Sequence, residues 1–135
     1  MTVAGNPLDR AGDGRARFTP RDGLVSAEAR GRSCVLRLAG DLDLFSAEVL
    51  RRELEAALPA GPAVAVVDLR EVSFLDSTVL GLLLLASRRM EAQGGALVLA
   101  APGPAVERVL DVSGLRAYLP AYPTVDEALA HEEEA

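Results

Sequence analysis

Apolar positions recur along this chain with two periods, close to two and close to 3.6, and they switch several times. "LVSAEA" (24–29) and "CVLRLAG" (34–40) read as strands, with "RGRS" between them as a tight connection. "SAEVLRRELEAAL" (46–58) carries Ala47, Leu50, Leu54, Ala57 and Leu58 on one stripe, the spacing of an amphipathic helix. Ser46 is placed to cap it, and Glu48–Arg52 and Arg51–Glu55 stand four residues apart on its surface. "PAGP" ends that helix. "AVAVVDL" (63–69) is then almost continuously apolar, as in a strand covered on both faces.

The second half repeats the alternation. A helix is predicted from about Ser77 to Glu91, stopped by "QGG" (93–95) and followed by a buried strand, "ALVLAA" (96–101). "GPAVERVLDVSGL" (103–115) has Pro104 near a helix start, Val106, Val109 and Leu110 at helical spacing, and Gly114 where a C-terminal cap belongs. "AYLPAY" (117–122) predicts a last short strand. "TVDEALAHEEEA" predicts a closing helix, with Thr124 and Glu127 spaced as a capping box. The order implies an α/β domain over 24–131: a mixed sheet of four to five strands with about four helices packed on it. Residues 1–23, rich in Gly, Pro, Arg and Asp, are expected to be a disordered extension, and 132–135 an acidic tail.

Composition narrows the chemistry. Half of the 135 residues are hydrophobic but only 4% are aromatic, and tryptophan is absent, so the core must be aliphatic. The net charge of −6 opposes a nucleic-acid surface, which needs clustered basic residues. All fourteen basic residues are arginines. A chain without lysine has no Schiff-base lysine, no phosphate-loop lysine and none of the kind a receiver domain requires. The single cysteine, Cys34, excludes an internal disulfide and reads as inert packing in a strand. No run approaches the roughly 18 apolar residues of a membrane span, and no signal-peptide pattern opens the chain. A cytoplasmic protein without membrane association is expected.

One stretch concentrates polar chemistry at the mouth of a buried element: "FLDSTVLGLLLL", Phe74 to Leu85. Asp76, Ser77 and Thr78 are all residues that start helices, so capping is the plain reading of each. Serine hydrolysis is opposed by the absence of a Gly-x-Ser-x-Gly setting and by a lone histidine, His131, in a tail expected to be solvated. Asp41 and Asp43 suit turn chemistry better than a metal, having no histidine or third carboxylate at ligand spacing. No cofactor or metal is expected.

"VVDLREVSFLDSTVLGLLLL" resembles the signature of STAS domains, and specifically of the bacterial anti-sigma-factor antagonists, in which Asp-Ser-(Ser/Thr)-Gly-Leu-Gly leads into a helix. "LAGDLDLFSAEVL", "PAVERVLDVSGL" and "YPTVDEAL" resemble three other segments of that family, in its order, over about residues 24–130. The resemblance implies a non-enzymatic switch that is a monomer or weak homodimer. Its unmodified form would bind an anti-sigma factor that is also a serine kinase, freeing a sigma factor. Ser77 would be the phosphoacceptor, and a serine phosphatase would reset it. Asp76, Thr78, Val79, Leu80 and Gly81, with the Asp41–Asp43 turn, would form the contact surface. The family pattern has glycine where this chain has Val79, so partner choice is expected to turn on that side chain. The alternative is a STAS sensor, scaffold or transporter-associated module that meets no sigma factor.

Overall fold

A computed structural model describes residues 22–131. The expected N-terminal extension lies outside the described residues except for Asp22 and Gly23, and the acidic tail at 132–135 lies outside them as well. Strands β1 (Gly23–Arg30) and β2 (Ser33–Leu42) form an antiparallel hairpin. After helix α1 (Leu44–Ala57), strand β3 (Val64–Leu75) pairs parallel to β2. Helix α2 (Ser77–Ala92) leads to β4 (Ala96–Ala100), and α3 (Pro104–Ser113) leads through a 3-10 turn (Leu115–Ala117) to β5 (Ala121–Tyr122). Helix α4 (Val125–Leu129) closes the described chain. The five strands lie in sequence order, with β1 antiparallel and every later pair parallel.

Successive crossovers in one direction put α1, α2 and α3 on the same sheet face. There Leu36, Leu38, Val67 and Leu69 pack against Leu50, Leu54, Leu80, Leu83, Val106 and Leu110. On the other face Val35, Val64, Val66, Val98 and Ala100 meet Ala128 of α4. β3 is therefore buried on both sides along Val64–Leu69, which is why its sequence is a run rather than an alternation. The core is aliphatic, as composition requires: among the described residues no phenylalanine or tyrosine is fully buried.

Several local expectations are corrected. Asp43, not Ser46, caps α1: its Oδ1 accepts from the N–H groups of Phe45 (3.0 Å) and Ser46 (3.2 Å). Ser46 Oγ returns the bond by accepting from the Asp43 N–H at 3.0 Å. The helix thus begins one turn earlier, because the carboxylate that directly follows Gly40-Asp41-Leu42 reaches two free donors at once. Glu48 pairs with Arg51 rather than Arg52, and Arg51 also holds Glu55 at 2.9 Å. These bonds hold the Glu48 carboxyl below its ordinary range. "AYLPAY" is mostly turn, with only two residues in the strand. His131, expected in solvent, is half-buried with its Nδ1 2.6 Å from the Tyr122 hydroxyl. Gly114 does cap α3, with φ of 76°.

Candidate functional site

β2 and β3 end side by side at their carboxyl ends, where Asp41 pairs with Phe74 and Leu42 with Leu75. The Asp76 N–H donates to the Leu42 carbonyl at 3.1 Å, so the entrances of α1 and α2 stand next to each other. Carboxyl ends of parallel strands are where such sheets present their sites. Gly40 makes this possible. Its φ of 88° lies in the left-handed region, and an added Cβ there would strike the Asp22 carboxylate. The β2–β3 register shifts between Gly40 and Asp41, re-aiming the next side chain. Asp41 Oδ1 then accepts from the Ser73 hydroxyl at 2.6 Å, tying the two strand ends together.

The three polar residues before the apolar run have distinct places. Asp76 is the N-cap of α2, its Oδ1 accepting from the Val79 N–H at 3.1 Å. Ser77 is therefore released from capping. It is the first residue of a 16-residue helix, exposed, and its hydroxyl makes no hydrogen bond among the described residues. Thr78 is exposed beside it. Gly81 lies one turn further along the Ser77 face and Leu85 two turns along, the latter also exposed.

Two residues of the expected contact surface are elsewhere. Val79 and Leu80 are both 0% exposed and belong to the core under α2. At helical spacing, the positions after Thr78 turn toward the sheet, so the isopropyl group that replaces the family's glycine fills interior space. Val79 does not face outward: its side chain is fully buried. Asp43 is half-buried and committed to its cap, whereas Asp41 is exposed.

Sequence reasoning missed an apolar patch at the same edge. Leu44 and Phe45 open α1 with their side chains in solvent, Phe45 at 90% exposure. Phe74, next to the β3 terminus, is 44% exposed. The signal was present: Phe45 stands two residues before Ala47 and falls on the side of the helix opposite the Ala47–Leu50–Leu54 stripe. Among the described residues no group of three His, Cys, Asp or Glu side chains is arranged to hold a metal. No helix is long and apolar enough to cross a membrane, again among the described residues.

A family model for the STAS domain matches residues 25–128. The anti-sigma F factor antagonist of Lysinibacillus sphaericus is 37% identical over 82 residues, which are 60% of this chain and 70% of that protein. The anti-sigma F factor antagonist of Paenibacillus polymyxa is 30% identical over 100 residues, covering 73% of this chain and 86% of that one. Among solved structures, an anti-sigma factor antagonist from Mycobacterium paratuberculosis superposes with a TM-score of 0.73 at 28% identity, over 86% of this chain and 99% of the other.

Proposed function

The chain belongs to the STAS domain family, and we propose that within it the protein is an anti-sigma factor antagonist, a protein-binding switch set by phosphorylation of Ser77. In the unmodified state it docks on an anti-sigma factor that is also a serine kinase, and the docked kinase gives up its sigma factor. The kinase transfers the γ-phosphoryl group of ATP to Ser77 Oγ, the hydroxyl proton passes to a base on the kinase, and ADP leaves. A phosphatase hydrolyses the phosphoserine and restores the binding form.

One observation carries this reading. Asp76 takes the capping role, so Ser77 stands exposed at the first position of α2 with a hydroxyl committed to nothing among the described residues. A serine needed as a cap is tied up; this one is available to an approaching kinase. The position also tolerates the product. First-turn N–H groups other than that of Val79 have no intrahelical acceptor, and the helix dipole favours a negative group there. Phosphate brings about −1.5 to −2 of charge beside Asp76 and near exposed Asp41 without needing the fold to open. The switch then works through local charge and hydration at the binding surface.

The test is phosphorylation by the anti-sigma factor kinase encoded nearest to this chain, with ATP, read by intact mass. The wild type gains one phosphate and Ser77→Ala gains none. Equal labelling of Ser77→Ala at Thr78 would move the acceptor by one residue, and no labelling of the wild type would refute the switch.

A further inference from the structure

Among the described residues no aromatic side chain is fully buried, and two phenylalanines stand exposed near the carboxyl ends of β2 and β3. The sequence holds three phenylalanines and two tyrosines. Phe45 and Phe74 are both solvent-exposed, Phe74 three residues before Ser77 and Phe45 three residues after Leu42, whose carbonyl accepts from the Asp76 N–H at 3.1 Å. A phenylalanine is among the largest apolar payloads a chain has, and the aliphatic core had use for it. Keeping two in water at the same edge is explained when another protein covers them.

We propose that Phe45 and Phe74 are the apolar anchors by which the unmodified protein holds its anti-sigma partner, and that they are what makes phosphate at Ser77 an off signal. This deepens the switch reading and rests on it. The charge around the anchors defines the partner's surface. Segments 40–48 and 71–78 contain Asp41, Asp43, Glu48, Glu71 and Asp76 and no basic residue, and with Glu48 paired to Arg51 just beyond the first segment four of these acids have no arginine partner among the ion pairs of the described residues. The complementary surface therefore has two apolar sockets within a basic rim. Basic residues alone would attract a phosphoserine, so charge by itself does not explain release. Apolar anchors do. A dianion with its hydration shell, added at the same edge as side chains that must be dried to bind, imposes a desolvation penalty on the closed interface.

The experiment titrates the full chain, with Ser77 unmodified, against the anti-sigma factor kinase encoded nearest to it. Phe45→Ala and Phe74→Ala are compared with wild type and with Val112→Ala, an exposed apolar control on α3. Each phenylalanine variant is expected to bind at least about tenfold more weakly and the control within about twofold. Melting temperatures should match wild type, because neither ring is in the core. Wild-type affinity falling with added salt supports the basic rim, and salt-independent affinity overturns it. Retention of wild-type affinity by either phenylalanine variant overturns the anchors while leaving the switch standing. Failure of the wild type to bind overturns the switch itself, and the anchors with it.

Discussion

The Val79 N–H donates to the Asp76 carboxylate at 3.1 Å, and this bond separates the structural acid from the serine that follows it. A side-chain oxygen at the N-cap satisfies one of the donors that a helix start leaves free. With Asp76 in that role, the Ser77 hydroxyl has no local duty among the described residues.

Asp76→Ala should lower stability by about 1 kcal/mol, the usual loss when a helix cap is removed. Asp76→Asn keeps an oxygen in place and should stay within a few tenths of a kcal/mol of wild type. Urea denaturation of the three proteins checks the pair. Equal losses in both variants would mean that the carboxylate's charge, rather than its hydrogen bond, holds the helix start.

Val79→Gly is expected to destabilise by roughly 2–4 kcal/mol, combining the loss of a buried isopropyl group, the cavity left behind and glycine's poor helix propensity. Its effect on partner affinity should be small once the protein is folded, since the side chain it removes is fully buried. Thermal melts and binding titrations on the same samples separate the two. A large affinity change with an unchanged melt would contradict the buried placement.

Gly81→Ala should behave in the opposite way. Nothing lies within 4 Å of a Cβ built at this position, so the fold has no need of a bare backbone there. Alanine in a helix interior is favoured over glycine by about 1 kcal/mol. The variant should be more stable and yet bind the kinase less well, if the missing side chain serves close approach by the partner. A gain in stability without any loss of binding would assign Gly81 no part in docking.

Burial pushes the Cys34 thiol above its ordinary value. A group whose pKa is raised by folding contributes stability that is present below its unfolded pKa and is lost as pH climbs through the folded one. Stability attributable to this residue should therefore hold up to about pH 8.5 and fall beyond it. The test is the alkaline limb of the stability curve, measured for wild type and for Cys34→Ala. If the two limbs have the same slope, the thiol does not couple to folding.

The sequence by itself determined the alternation of strands and helices, the doubly covered β3, the Gly114 cap and the family signature around Ser77. Each of these is a local pattern. Period, turn residues and continuous apolar runs are set by neighbours a few positions away, and a reader needs nothing more. Tertiary structure decided what faces what. Asp43, read as a turn residue, caps α1, and of the three capping candidates Asp76, Ser77 and Thr78 it is Asp76 that caps α2, because a carboxylate's role depends on which free N–H it reaches. Val79 stands in an outward-reading motif and points inward, since the angle of α2 on the sheet fixes its face. Phe45 and Phe74 are 29 positions apart in sequence and belong to one edge only because β2 and β3 pair in parallel and end together. A surface assembled from the ends of two crossovers has no period along the chain. It exists only once the sheet has brought those ends side by side.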